Sequence, residues 1–200
     1  MPQFQDHSFA AFLFDMDGTL LDSSAVVERV WRTWAQRHGV DPERLLAASH
    51  GVRSEDTIRR FATAATDVAL ETDWILQAEL NDTEGVVALA GVRALIERLH
   101  AGEWAIVTSA TRDLAMVRLR AAGLPLPHVL ITAEDVERGK PDPQGFQKAA
   151  TLLGVAIEHC LVFEDSPAGV AAAKAAGAQV AIVGDLVPAD QGSFAIADYL

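Results

Sequence analysis

Short apolar runs and longer amphipathic stretches alternate along most of this 200-residue chain. The runs Phe9–Phe14, Trp104–Val107, Val129–Ile131, Cys160–Phe163 and Gln179–Val183 have strand length, and most are rich in Val, Ile or Phe. Near-continuous apolarity predicts strands buried on both faces, as in a parallel sheet. Between the later runs, apolar residues recur at helical spacing over Val92–Ala101, Leu114–Ala122, Pro143–Leu153 and Pro167–Ala176. Gly102, Gly123, Gly154 and Gly177 follow these stretches directly, where a left-handed capping residue belongs. Strands alternating with capped helices predict βαβ units and a doubly wound α/β sheet.

From Ser23 to about Ala90 this rhythm stops and no strand is predicted. Helices are predicted at Ser24–Arg37, near Pro42–Ala47, at Ser54–Thr63 and at Asp67–Leu80, with Ser23 or Ser24, Ser54 and Asp67 as N-caps. Trp31 and Trp34 stand three apart on one face of the first helix and are expected to form the core of a small helical unit. The pattern is a Rossmann-like parallel sheet with a helical insertion after its first strand. Ala197–Leu200 is expected either to form a last edge strand or to be an abrupt end.

Composition narrows the function. Sixteen basic against 28 acidic residues give a net charge of −12. Nucleic-acid binding rests largely on Lys and Arg neutralising phosphates, so neither a nucleic acid nor an anionic membrane is an expected partner. A local positive site for a small anion remains compatible with such a surface. The single cysteine, Cys160, lies in an apolar run and is expected to be a buried small hydrophobe. No basic region precedes the first apolar run, and no apolar stretch is long enough to span a bilayer. A cytoplasmic setting is the expectation.

The chemistry concentrates at the predicted strand ends. In AFLFDMDGTLLDS, an apolar strand delivers Asp15 and Asp17 at its C-terminal end, where ligands bind in open α/β sheets. Gly18 permits a turn, and Thr19 offers a hydroxyl and an amide. Adjacent carboxylates repel, and a hard divalent cation, Mg²⁺, is the natural compensation. WAIVTSAT places Thr108 and Ser109 after the second core strand. RGKPDP places Lys140 before a proline turn and a helix, and LVFEDSPAGV places Glu164 and Asp165 at another strand end.

These four segments, in this order, resemble the haloacid dehalogenase superfamily of phosphohydrolases, in the branch with an α-helical cap inserted after strand one. FDMDGTLLDS, IVTSA, GKPDP and VFEDSPAGV carry the resemblance. It implies a Rossmann-like catalytic core of residues 1–21 and 91–200 and a helical cap of residues 22–90. HGVRSEDTIRRF and TEGVVALAGV further resemble the small sugar-phosphate, 2-deoxyglucose-6-phosphate and glycerol-3-phosphate phosphatases. Compared with the family pattern, the chain is expected to lack the last helix, which would follow Leu200. The resemblance implies Mg-dependent hydrolysis of a small phosphate monoester, a sugar or polyol phosphate, through an aspartyl-phosphate on Asp15. Asp17 is then the general acid and base, with Lys140 and Thr108 supporting the phosphoryl group beside Thr19 and Ser109. The metal is expected on the Asp15 carboxylate, the Asp17 carbonyl and Asp165, with Glu164 direct or through water. His50, Arg53, Glu55 and Thr57 are the candidates for reading the leaving group. Either a monomer or a homodimer is compatible.

Three other classes share parts of this pattern. A phosphosugar mutase of the same family is expected to lack Thr at position 19 and to carry a cap histidine where Val26–Val27 stand. A dehalogenase is expected to lack the second acid, Asp17. A phospho-acceptor regulatory domain combines similar strand-end groups with no catalytic turnover, but without an inserted helical cap.

Overall fold

The structure, a computed structural model, describes residues 1–190 and 193–200. A short hairpin, β1 (Gln3–Phe4) and β2 (His7–Ser8), precedes β3 (Ala11–Phe14) and the two-residue β4 (Leu21–Asp22). Four helices follow: α1 (Ser24–His38), α2 (Pro42–Ser49), α3 (Ser54–Phe61) and α4 (Val68–Leu80). The chain returns through β5 (Val87–Ala88), α5 (Val92–Ile96), β6 (Trp104–Val107), α6 (Arg112–Ala121) and β7 (Val129–Ile131). It closes with α7 (Gln144–Leu153), β8 (Cys160–Glu164), α8 (Pro167–Ala176), β9 (Gln179–Val183) and β10 (Ser193–Ile196).

The central sheet has six parallel strands in the order β10-β9-β8-β3-β6-β7, with Leu13 opposite both Ala105 and Val162. Alternation along each strand sorts its side chains to two faces. Phe12, Phe14, Ile106, Leu161 and Phe163 join one core, where Phe14 stacks on Phe163 at 4.7 Å. Leu13, Ala105, Val107 and Val162 join the other, packed against Phe146 and Ala149 of α7 and Ala172 and Ala173 of α8. Both faces are covered, which explains the unbroken apolar runs. Cys160 is buried in the second core. The inserted helices centre on Trp34, Leu45, Ile58 and Ile75, all fully buried.

Local differences from the sequence expectations have physical causes. The first strand begins at Ala11, because the amide of Phe9 donates to Pro2 O and that of Ala10 to His159 O. Helix α5 stops at Ile96; the amides of Arg98 and Leu99 bond three residues back, so its end tightens instead of continuing to Ala101. A two-residue ribbon, β4 against β5, pairs Leu21 with Ala88 and Asp22 with Val87, inside an interval that predicts no strand. Two residues are too few for an alternation to register. Asp67 caps α4 as expected, but α3 starts at Ser54 itself without a side-chain cap. The edge strand is Ser193–Ile196, not Ala197–Leu200. Tyr199 instead folds back beneath the sheet's end, its hydroxyl donating to Thr19 O at 3.1 Å.

Candidate active site

The sheet's topology gathers the chemistry. Asp15 follows β3, Thr108 follows β6, and Glu164 ends the adjacent β8 with Asp165 directly after it; the Phe163 carbonyl of β8 accepts from the Asp15 amide at 2.9 Å. Lys140 arrives from the loop before α7. Its Nζ donates to Asp15 Oδ1 and to Glu164 Oε1, the latter at 2.6 Å, and all three side chains are almost wholly buried. Glu164 Oε2 accepts from the amide and hydroxyl of Ser166, both at 3.0 Å. Gly169 is required beneath it, since a Cβ there would overlap the Glu164 carboxylate. Gly18, at φ +85°, takes a left-handed turn, and a Cβ there would strike Asp165. Thr19 Oγ1 donates to Asp165 Oδ1 at 3.2 Å.

The oxygens of Asp15, Glu164 and Asp165 can all lie within 4.8 Å of one another. An all-carboxylate donor set suits a hard divalent cation. The electrostatics call for one as well. Burial raises the Asp15 carboxyl well above its ordinary value, with Glu164 and Asp165 adding to the rise and Lys140 opposing it. Burial and the neighbouring Glu164 push Asp165 up to about 7. For Lys140, burial favours the neutral amine, but Asp15 and Glu164 outweigh it and hold the ammonium. One ammonium does not balance three acids in this space.

A cleft of about 600 Å³ opens over this cluster, between the strand ends and the inserted helices. Asp15, Asp17, Thr108, Ser109, Asp165 and His50 all line it. Thr108 Oγ1 accepts from the Ala110 amide at 3.0 Å, while Ser109 Oγ donates to Gly51 O at 2.8 Å, joining the core to the loop after α2. Arg53 points elsewhere: its guanidinium donates to the carbonyls of Ala133, Val136 and Glu137 at 2.7–3.2 Å. Glu55 pairs with Arg59 on the surface, and Thr57 is buried inside the helical unit. The structure does not bring Arg53, Glu55 and Thr57 to the cleft wall.

Asp17 turns away from the carboxylate cluster. Its Oδ1 accepts from Ser23 Oγ at 2.6 Å and from Arg118 Nη1 at 3.0 Å. Arg118 lies on α6 and is 5% exposed; its Nη2 stands 3.4 Å from Glu79 of α4, also buried. Burial raises the Glu79 carboxyl, against the pull of Arg118. Sequence reasoning passed over this network, but a signal was present. Arg118 falls on the stripe of Leu114, Ala115 and Leu119, and Glu79 falls four residues from Ile75. A charge on a helix's apolar face is the mark of a buried partner.

Known proteins resemble this chain over most of its length. The model of the haloacid dehalogenase-like hydrolases matches residues 9–177. Hexitol phosphatase A of Escherichia coli (strain K12) is 47% identical over 183 residues, 90% of this chain and 84% of that protein. 2-Deoxyglucose-6-phosphate phosphatase 2 of Saccharomyces cerevisiae is 33% identical, over 89% of this chain and 80% of its own. Among solved structures, a hydrolase from Pseudomonas syringae superposes with a TM-score of 0.78 at 28% identity, over 88% of this chain and 84% of that one. Among the described residues, no helix is long and apolar enough to cross a membrane.

Proposed function

The chain belongs to the haloacid dehalogenase-like hydrolases, and from that membership we propose that it is a phosphatase hydrolysing a sugar or polyol phosphate through an aspartyl-phosphate on Asp15. The observation that carries the reading is the buried cluster of Asp15, Glu164 and Asp165, bridged by Lys140 and open to a cleft of about 600 Å³.

In this reading Asp15 attacks phosphorus while Asp17 gives a proton to the leaving alcohol. Asp17 then takes a proton from the water that frees the phosphate. Splitting the displacement in two lowers a very high barrier. Lys140 opposes the burial that favours a protonated Asp15 and directs one of its oxygens. Thr108 and the backbone amides after Asp15 face the oxygens that carry the transferring group's charge. A divalent ion, which we take to be Mg²⁺, would be held by Asp15, the Asp17 carbonyl and Asp165, with Glu164 direct or through water, and would supply charge stabilisation for the phosphoryl group. Helices α1–α4, within residues 22–90, act as a cap that limits water and reads the leaving group. Trp31 and Leu46 offer it an apolar wall, with His50 and Glu43 as polar partners.

Hydrolysis is favoured over transfer to a second phosphate site. Arg32 is paired with Glu28 and Glu43, Arg53 with backbone carbonyls, and Arg118 with Asp17 and Glu79. Each arginine on or beside the cleft is thus engaged. The test is a panel of hexitol, 2-deoxyhexose, glycerol and aryl phosphates with Mg²⁺, scored by released phosphate. Sugar or polyol esters should be turned over without a bisphosphate activator, and Asp15→Asn should lose turnover while keeping the wild-type circular dichroism. Wild-type turnover by that variant refutes the nucleophile assignment. A long-lived phospho-form without turnover on any ester favours a phospho-acceptor instead.

A further inference from the structure

The two carboxylate oxygens of Asp17 have unlike surroundings. Oδ1 is held by Ser23 and Arg118. Among the described residues no donor reaches Oδ2, although the side chain is 26% exposed and lines the cleft. Arg118 is the charged one of these two donors. A long side chain near a helix end ordinarily carries its charge out to water, as the exposed Arg120 of the same helix does. Arg118 instead turns inward; its Nε is buried without a hydrogen-bond partner, and its Nη2 makes no hydrogen bond but stands as an ion pair 3.4 Å from Glu79. It is oriented by two carboxylates, Asp17 at Nη1 and Glu79 at Nη2, which approach from different elements. Its planar fork spans both, a geometry that a point charge on a flexible stem does not reproduce.

We propose that Arg118, braced by Glu79, is the positioning residue for proton transfer at Asp17: it pins Oδ1, so that Oδ2 is the oxygen presented to the leaving group. In the first half-reaction the bond from phosphorus to the leaving oxygen breaks as the Asp15–phosphorus bond forms, and the proton on Asp17 Oδ2 moves to the leaving oxygen. In the second, water bonds to phosphorus, Asp15 departs as a carboxylate, and Oδ2 accepts a proton of the water. This rests on the assignment of Asp17 as general acid and base made above.

The experiment compares two esters by kcat/KM, which covers the steps up to departure of the alcohol. 2-Deoxyglucose 6-phosphate has an alkoxide leaving group that needs the proton; p-nitrophenyl phosphate has one that does not. General acid catalysis contributes about 10²–10⁴-fold. Arg118→Met should therefore lower kcat/KM on the sugar ester by about 10²-fold and on the aryl ester by only a few-fold. Arg118→Lys should show the same split at an intermediate size, and Glu79→Gln a smaller one. Asp17→Asn is the reference and should show the largest. Equal losses on both esters in the Arg118 and Glu79 variants, with Asp17→Asn still split, overturn the positioning role alone. An unsplit Asp17→Asn instead overturns the general-acid assignment beneath it. If Arg118→Met does not fold, Arg118→Lys and Glu79→Gln decide by the same criterion.

Discussion

Replacing Lys140 by Met removes the ammonium shared by two buried carboxylates. The Lys140 and Asp15 side chains are 5% and 6% exposed and that of Glu164 is fully buried, so water cannot take the ammonium's place. Breaking a buried pair from one side costs about 3–5 kcal/mol. The lower end, about 3 kcal/mol, is expected here at pH 8, because Asp15, already raised by burial, can take up a proton in place of the lost partner. That is a large share of a total stability of about 5–15 kcal/mol. In urea, with a slope of about 1–3 kcal/mol per M, the midpoint should fall by about 1 M or more. Loss of Lys140 raises the folded-state pKa of Asp15 further. A raised carboxyl favours folding at low pH and loses that contribution as pH climbs through its folded value. The deficit should therefore be smaller at pH 5.5 than at pH 8. The assay is urea denaturation in EDTA at both values, with Lys148→Met as control. Lys148 is half-exposed, its Nζ 3.6 Å from the Asp135 carboxylate and donating to the Asp135 carbonyl at 2.6 Å, and should cost about 1 kcal/mol. A Lys140→Met midpoint at pH 8 equal to that of the control, or a larger deficit at pH 5.5, refutes the reasoning.

Two other outcomes follow from the same cluster. Ala in place of Gly within a helix ordinarily stabilises by about 1 kcal/mol, but in Gly169→Ala the added Cβ meets the Glu164 carboxylate held by Lys140 and Ser166. That variant should lose about 1–3 kcal/mol and most of its activity; a raised thermal midpoint counts against the packing argument. In metal-free protein Asp165 is raised from 3.8 to about 7, chiefly by burial and next by Glu164. Its contribution to stability is present below the unfolded value and lost as pH rises through about 7. A divalent ion displaces that proton, so the thermal shift on adding Mg²⁺ should be larger at pH 8 than at pH 5.5, and the difference should shrink in Asp165→Asn. Equal shifts at both pH values contradict it.

The legible parts of this protein were those with a local cause. Strands Trp104–Val107, Val129–Ile131 and Gln179–Val183 occur as their apolar runs predict, because burial on both faces leaves no place for polar side chains. Asp15, Thr108, Lys140 and Asp165 could be picked out because each stands beside a strand end or turn in a short motif. The β4–β5 ribbon and the fold-back of Tyr199 left no such trace, being set by a partner far along the chain.

Side-chain direction was the harder matter. In the sequence Arg53 stands just before one predicted helix and Arg118 falls on the apolar stripe of another, and neither position names its partner. Packing sends the first to the carbonyls of a core loop and buries the second between Asp17 and Glu79. Periodicity and motif spacing thus determined the sheet, the inserted helices and the acids gathered at the strand ends. Which charges neutralise one another was decided only by the tertiary structure, since Coulomb energy depends on separation and burial, and neither is written in the local order of residues.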